Sequence, residues 1–359
     1  MSLRTVARSM LIFAAPILLA GCGGNGYSAP PPTAAPRFMF VTNLFSSSIS
    51  SYVVDAQTGQ LTLKDMVPTG GMNPRVIAAE PSGHFAYVGN TITNDLSVFT
   101  INPTTGSLAM SGSPVPAGGT PRFIVVGPTG HFLYSVNQDS DKVSIFAINA
   151  DTGALAHLDE VQTDDLPVAI SFDPAGQFAY VANANSNDLT IYGVDSSGGL
   201  RLLGAIPVGT NPGSIAMHPS GRFAYVLNFG TSDITIFAVN ATTGALTPLL
   251  PRVDAGAGPT SITLDARGHF AYVTDLIAGK ISVFTIDAGT GALTLASTSL
   301  AVTNPIALTL DSSGRFAYVA DFGSDNVTQF TVDSSTGALT TVGSPVNAGT
   351  GPVWLALTN

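Results

Sequence analysis

Cysteine is almost absent from this sequence of 359 residues, where the one copy is Cys22. A lone cysteine excludes disulfides within the chain and clusters of metal-binding thiolates, and its place near the start argues against a thiol nucleophile in the body. Charged residues are also scarce, at 10% of the chain, and only two of them, Glu80 and Glu160, are glutamates. Few groups are therefore available for acid–base chemistry.

Basic residues are outnumbered by acidic ones. Lysine and arginine number 13 against 23 acids, which gives a formal net charge of −10. Arg4 and Arg8 belong to the first 21 residues, so the charge of the remainder falls from −10 to −12. A chain this acidic, without a basic stripe, is repelled by phosphate backbones. We therefore expect no nucleic-acid partner.

The apolar run near the start, Met10–Ala20, has 11 residues and is too short to span a bilayer as a helix. With Arg4 and Arg8 before it, this run is typical of an export signal. It ends in Leu19-Ala20-Gly21-Cys22, which resembles the bacterial lipobox. The resemblance implies a signal peptide over 1–21 and a lipid on Cys22. The alternative is a plain secretory peptide with an incidental cysteine.

Residues 22–36 are rich in Gly and Pro and show no apolar periodicity, so we expect a disordered tether. Gly23 follows the cysteine, which resembles outer-membrane sorting in enteric bacteria. The expected location is therefore the periplasm-facing or outer surface of the envelope, with the outer membrane favoured. The membrane is contacted through the N-terminal lipid alone.

One short phrase recurs seven times after the tether. It reads Phe38-Met39-Phe40-Val41-Thr42-Asn43 in its first copy and RFAYVLN, from Arg222, in its fifth. The first Phe of each copy is residue 38, 85, 132, 178, 223, 270 or 316, so the period is 45 to 47 residues. A period of this length, built from short apolar runs, predicts a propeller blade.

Each repeat reads as four strands. In the unit that begins at Asn211 the predicted strands are Gly213–His218, Arg222–Asn228, Ile234–Val239 and Leu246–Leu250. A Thr-Gly turn precedes the fourth strand in six units, and Ser197-Gly198 replaces it in the other. Stacked radially, the bulky Phe and Tyr face of one blade meets the small Ala and Gly side of the next.

The two ends of the repeat region predict a closed ring over 37–359. The first copy lacks its first strand, and the chain ends on an unpaired one, Val353–Asn359. We therefore predict an all-β, seven-bladed β-propeller of four-stranded antiparallel blades, closed when the C-terminal strand pairs with the N-terminal blade. An open solenoid is the alternative, but it needs polar caps that this end does not provide.

The phrase Tyr-Val-x-Asn resembles the YVTN propeller repeats. The longer pattern is Gly-x-Pro, a strand, Pro-x-Gly-(His/Arg)-Phe-x-Tyr-Val-x-Asn and a downstream Thr-Gly-x-Leu. It resembles the 6-phosphogluconolactonase family of seven-bladed propellers over roughly 37–359. This resemblance implies the same fold and, as one option, lactone hydrolysis. Because these phrases serve packing and turns, they indicate the activity only weakly.

The position after the conserved Pro holds the candidate binding residues. Five copies have Val, Gly, Thr or Ile there, whereas two neighbouring copies have Arg75 and Arg122. Two guanidinium groups at a channel mouth could clamp a carboxylate or phosphate. The resemblance also implies Pro-Arg at this place. Alternatively, both arginines pair with nearby acids such as Asp164 and Asp165.

Beyond these arginines, the sequence departs from the residues that the resemblance implies for hydrolysis. The resemblance implies a His after Pro-Arg and an Asn-Glu at the end of the second strand, but the chain has Val76 and Phe123 at the first place and Gln138 at the second. Gln138 cannot exchange a proton as Glu can. Apolar side chains such as Phe123 and Trp354 are expected at the rim. The predicted ligand-binding residues are therefore Arg75, Arg122, Phe123, Gln138 and Trp354, with no catalytic residue.

Two other sets of equivalent residues in the seven repeats, each called a column below, have structural interpretations. The Asn or Asp that ends each second strand could hold a cation, but capping of the local backbone is favoured. The histidines interchange with Gln and Arg at turns, and no pair has metal-ligand spacing. We therefore predict no metal and no cofactor.

Two functions are argued from the residues, and a surface or exopolymer-associated structural role is a third alternative. The favoured one is a lipid-anchored, non-catalytic module that binds a small anion or an envelope protein. The alternative is a lactone hydrolase or cycloisomerase with Arg75 and Arg122 as anion clamps. No helix or coiled coil suggests an oligomer, so we expect a monomer.

Overall fold

The computed structural model describes residues 37–300 and 302–358, which form seven antiparallel sheets arranged in a closed ring. This confirms the predicted all-β, seven-bladed propeller. The predicted signal peptide, Cys22 and the tether over 22–36 lie outside the described residues. No described segment forms a helix that is long and apolar enough to cross a membrane.

Each blade places its first strand at the axis and its fourth strand at the outer rim. The first strands are β4 (Pro74–Ala79), β9 (Pro121–Val126), β13 (Pro167–Phe172), β17 (Pro212–Met217), β21 (Pro259–Leu264), β25 (Pro305–Leu310) and β30 (Pro352–Leu357). The second strands are β1 (Arg37–Asn43), β5 (Phe85–Asn90), β10 (Phe132–Asn137), β14 (Phe178–Asn183), β18 (Phe223–Asn228), β22 (Phe270–Asp275) and β26 (Phe316–Asp321).

The outer half of each blade follows the same order. The third strands are β2 (Ser48–Val54), β6 (Asp95–Ile101), β11 (Lys142–Ile148), β15 (Asp188–Val194), β19 (Asp233–Val239), β23 (Lys280–Ile286) and β27 (Asn326–Val332). The continuous fourth strands are β3 (Leu61–Pro68), β12 (Leu155–Gln162), β16 (Leu200–Pro207), β20 (Leu246–Asp254) and β24 (Leu293–Leu300). The split fourth strands are β7 (Leu108–Met110) with β8 (Val115–Pro116), and β28 (Leu339–Thr341) with β29 (Val346–Asn347).

The split in two blades is the main departure from the predicted strands. Both breaks contain Gly-Ser-Pro, and Gly112 and Gly343 have φ values of 75° and 62°. A left-handed glycine followed by a proline without an N–H interrupts the strand. In the unit that begins at Asn211, the first strand starts one residue earlier than predicted, and the fourth extends to Asp254.

The last strand closes the ring as predicted. β30 pairs antiparallel with β1, so that Met39 is opposite Leu357 and Thr42 is opposite Trp354. The Arg37 guanidinium donates a hydrogen bond of 2.7 Å to the buried Asp311 carboxylate of the preceding blade. Because the two ends of the described chain complete one sheet, neither end leaves an inner strand edge open.

One repeated contact joins every blade to the next. The first Phe of each phrase lies against a left-handed glycine in the next blade's hairpin turn. The seven pairs are Phe38–Gly106, Phe85–Gly153, Phe132–Gly198, Phe178–Gly244, Phe223–Gly291, Phe270–Gly337 and Phe316–Gly59. In four blades the Tyr hydroxyl of the phrase also donates to the carbonyl of that glycine, as Tyr180 does to Gly244 at 3.0 Å. The phrase that recurs in every repeat thus holds neighbouring blades together.

Candidate functional site

The first strands surround a cavity of about 530 Å³ on the axis of the ring. Every residue that follows the conserved Pro lines it: Arg75, Arg122, Val168, Gly213, Thr260, Ile306 and Val353. The next residue along each first strand lines it as well. Asn211, Phe229 and Leu276, in the loops at the end where the first strands begin, mark the mouth. Alignment of the seven repeats with one another therefore identifies the residues that form the inner wall of the channel.

Arg75 and Arg122 lie on the neighbouring strands β4 and β9, and both are half-buried. Among the described residues, neither guanidinium forms a salt bridge, so pairing with Asp164 or Asp165 does not occur. The Asp165 carboxylate instead accepts a hydrogen bond of 3.2 Å from Asn185. Arg75 Nε is buried and has no hydrogen-bond partner, and burial lowers the pKa of Arg75. The cavity thus holds two positive charges without a neutralising carboxylate.

Arginine is the only ionisable residue type among the described residues that line the cavity. Within the described chain, its lining residues include no Asp, Glu, His or Lys. None of the five histidines lies there, and the buried His218 bonds through Nε2 to the Gly268 carbonyl at 3.0 Å, which joins two blades. The cavity can therefore attract an anion, but its side chains provide no general acid or base of ordinary pKa.

Aromatic rings form the wall beside the arginines. Phe123 and Trp354 meet edge to face, with centroids 5.1 Å apart and an interplanar angle of 90°. Four of the five predicted binding residues, Arg75, Arg122, Phe123 and Trp354, line the cavity together. Gln138 does not line it and lies in the loop after β10, where its amide is 3.5 Å from Asp139.

Hydroxyl groups line the side contributed by β17, β21 and β25, namely Ser214, Thr260, Ser261, Thr263 and Thr309. Three of them are engaged within the protein, among them Ser214, whose Oγ accepts from the Ile262 N–H at 3.4 Å. Thr263 Oγ1 donates to the Leu308 carbonyl at 2.8 Å, and Thr260 Oγ1 lies 3.1 Å from the Pro305 carbonyl. The column alignment did not single out this side, although Thr263 and Thr309 recur at one strand position. Side chains along a strand alternate between its two faces, so residues two places after a lining position were predictable from the sequence as further lining residues.

The Asn or Asp column at the ends of the second strands supports the loops of each blade. In five blades the side-chain amide donates to a third-strand hydroxyl at 2.8–2.9 Å, as Asn183 does to Thr190. Asp275 instead accepts four backbone N–H bonds from Ala257, Gly258, Ile277 and Ala278. Asn43 and Asn228 also accept one loop N–H each, from Gly349 and Gly209 at 3.1 Å. Three residues of this column therefore cap loop backbone in the predicted manner, Asp275 most extensively. The described residues contain no cluster arranged to hold a metal.

Asp321 is the exception in this column. It is 1% exposed, and the Thr328 hydroxyl donates to its Oδ2. Its Oδ1 and the Oδ1 of Asn326 are both buried without a hydrogen-bond partner. Burial raises the pKa of Asp321 to about 7. A carboxyl group thus occupies a place where five other blades have a neutral amide donor.

The comparisons with known proteins agree with this architecture. The family model described as "Lactonase, 7-bladed beta-propeller" matches residues 24–120, 111–172, 159–260 and 251–356. No curated protein matches the chain.

Several solved structures share the fold. A Bacteroides fragilis protein described as a candidate 6-phosphogluconolactonase is similar at 20% identity, over 92% of this chain and 100% of that one, with a TM-score of 0.82. The periplasmic gluconolactonase of Pseudomonas aeruginosa is similar at 21% identity, over 90% and 99%, with a TM-score of 0.80. A Lactobacillus plantarum protein is 22% identical over 91% and 100%, with a TM-score of 0.78.

Proposed function

The chain belongs to the lactonase family of seven-bladed β-propellers, and we propose that it uses this fold to bind a small organic anion in the axial cavity. The observation that carries the proposal is the pair Arg75 and Arg122, two half-buried cations without a carboxylate partner in the described chain. A guanidinium offers five N–H donors in a plane that matches a carboxylate. An anion would supply the missing counter-charge.

Binding without turnover fits the cavity better than hydrolysis does. Opening a lactone with water requires a group that accepts the proton of the attacking water. The lining side chains in the described part of the chain are arginine, hydroxyl, amide and apolar groups. Arginine stays protonated near neutral pH, and a hydroxyl needs an adjacent base before it can act. The cavity therefore has the means to hold an anion but lacks a base.

Trp354 makes this proposal easy to test, because it is the single tryptophan of the chain and lines the cavity. We expect its fluorescence to change on titration of residues 37–359 with benzoate, gluconate or phosphate. Arg75→Ala and Arg122→Ala should each weaken binding about ten- to hundredfold, the loss expected for a charged hydrogen-bond donor. Arg201→Ala is the matched control, since Arg201 is exposed on β16, away from the cavity.

Two outcomes would contradict the proposal. One is that no anion binds the wild-type protein at millimolar concentration. The other is that the Arg75→Ala/Arg122→Ala double variant binds as tightly as the Arg201→Ala control. Calorimetry on the same samples distinguishes true loss of binding from loss of the fluorescence signal.

Lactone hydrolysis is the second candidate, and family membership is the observation that favours it. The Pseudomonas aeruginosa relative is described as a periplasmic gluconolactonase, so export alone does not argue against this activity. A pH-stat assay with gluconolactone tests it directly. Turnover above the spontaneous rate that falls in the double arginine variant would favour hydrolysis over simple binding, whereas we expect no excess turnover.

We further propose that the propeller is exported and anchored by a lipid on Cys22, because the preceding residues resemble a lipoprotein signal. The proposal places the cavity in the cell envelope, where it meets small exported or incoming anions. Fractionation of cells that produce the full chain should find it in the membrane pellet. Cys22→Ser should move it to the soluble fraction, and a soluble wild-type protein would exclude the anchor.

A further inference from the structure

The Phe123–Trp354 pair bridges two blades across a third. Trp354 lies on β30, Phe123 lies on β9, and both strands pack against β4, which lies between them and carries Arg75. Their edge-to-face contact, at 5.1 Å, therefore spans the channel side of β4. Both side chains are half-buried and line the cavity, so part of each ring is presented to its interior.

This arrangement puts a cation and two aromatic rings within one wall. Aromatic rings attract other rings in offset or edge-to-face geometry, with a gain beyond the apolar area that they bury. A flat ligand can place one edge on an arginine and its ring against Phe123 or Trp354. A saturated acid gains the charge interaction and the burial of its apolar surface, but it lacks the contact between rings.

On the opposite side, three of the five hydroxyl groups are already engaged within the protein, which leaves few free partners for a ligand with many hydroxyl groups. Thr263 donates its hydrogen to Leu308, and Thr260 has the carbonyl of Pro305 within hydrogen-bonding distance. The Ser214 hydroxyl oxygen lies 3.4 Å from the backbone N–H of Ile262 and accepts from it. A sugar acid needs acceptors and donors for each of its hydroxyls, and groups left without partners in a half-buried site reduce affinity.

From these contacts, and resting on the proposed anion-binding function, we propose that the cavity selects an aromatic carboxylate over sugar acids and saturated acids. The carboxylate lies at Arg75 and Arg122, and the ring lies against Phe123, which Trp354 holds in place through their edge-to-face contact. The apolar residues Ile306 and Leu308 extend the cavity on the side away from the arginines. The volume of about 530 Å³ accommodates a substituted ring.

Three probes of equal charge separate the contributions: benzoate, cyclohexanecarboxylate and gluconate. Calorimetry on residues 37–359 should show benzoate binding roughly three- to tenfold more tightly than cyclohexanecarboxylate, as expected for one favourable aromatic contact. Gluconate should bind more weakly than either. All three should lose affinity in Arg75→Ala, since all present the same carboxylate.

Phe123→Leu tests the ring contact itself. It retains an apolar side chain of similar size, and we expect benzoate and cyclohexanecarboxylate to bind within about twofold of each other in this variant. Trp354→Phe keeps an aromatic ring and should preserve the preference. Thermal unfolding of both variants shows whether the propeller remains folded.

The outcomes distinguish this inference from the proposed function. If gluconate or cyclohexanecarboxylate binds as tightly as benzoate, or the preference survives Phe123→Leu, the aromatic subsite is overturned while anion binding stands. If none of the three probes binds, the anion-binding function itself fails. A benzoate preference that disappears in Phe123→Leu and survives in Trp354→Phe supports the inference.

Discussion

Replacement of Asp321 by asparagine should stabilise the propeller at neutral and alkaline pH. The asparagine amide can donate to Thr328 Oγ1, as the equivalent Asn183 does to Thr190 at 2.8 Å. Its second N–H would face Asn326, which pairs with residue 321 across the strands, as the equivalent Asn183 donates to Asp188 at 2.7 Å. The Oδ1 of Asn326 is buried without a partner and could accept it. The variant thus restores the contact of the other blades and removes a buried ionisable group.

The magnitude follows from the pKa of Asp321, which burial raises to about 7 from a value near 4 in an unfolded chain. Because the folded state holds the proton more tightly, the stability that it confers is fully present below about pH 4 and is lost as the pH rises through about 7. The difference corresponds to roughly 4 kcal/mol at pH 8. We expect Asp321→Asn to recover about 1–4 kcal/mol at pH 8 and much less at pH 5.

Thermal unfolding followed by circular dichroism at pH 5 and pH 8 checks this expectation. For a chain of this size, each kcal/mol corresponds to a Tm change of about 1–2 °C. Asp275→Asn is the matched control in the same column. Because Asp275 accepts four backbone N–H bonds, its amide variant should lower the Tm at both pH values. Equal stabilisation by Asp321→Asn at both pH values, or destabilisation at pH 8, would refute the reasoning.

Two further substitutions test how the ring is held together. Gly106→Ala should lower the free energy of unfolding by about 2–4 kcal/mol, because its Cβ would lie 2.2 Å from the Phe38 ring. Gly112→Ala shares the positive φ but has no atom within 4 Å, so its expected loss of about 1 kcal/mol isolates the backbone strain; equal losses would show that the contact with Phe38 is unimportant. Arg37→Ala should cost about 1–3 kcal/mol by leaving the buried Asp311 without its cation, as measured by denaturant unfolding, and an unchanged midpoint would contradict that role.

Much of the fold follows from the repeat. The first Phe of each phrase and the Thr-Gly turn recur because each blade must bury one face against the next, and the structure shows that contact in all seven blades. Closure by β30 is equally predictable, since the first copy lacks the strand that the last segment supplies. The split of two fourth strands was missed, although Gly-Ser-Pro at 112–114 and 343–345 was its signal.

The candidate site was predictable only in part. Alignment of seven copies places Arg75, Arg122, Phe123 and Trp354 at equivalent heights on strands that face the channel, and all four line the cavity. It also suggested Gln138, which lies in a loop away from the cavity lining. The position of a residue within its repeat predicts how far along the channel axis the residue lies. It does not predict whether the side chain extends far enough to line the cavity.

The amino-acid pattern alone was sufficient for the blade number, the strand order, the closing strand and the identity of the inner wall, because these depend on spacing and on alternation along each strand. Three features emerged from the folded molecule: no carboxylate of the described residues pairs with Arg75, Phe123 contacts Trp354, and Asp321 is buried. These features depend on the rotation between neighbouring sheets and on side-chain conformations. Such contacts form between residues far apart in the chain, and they are established when all seven blades pack around one axis.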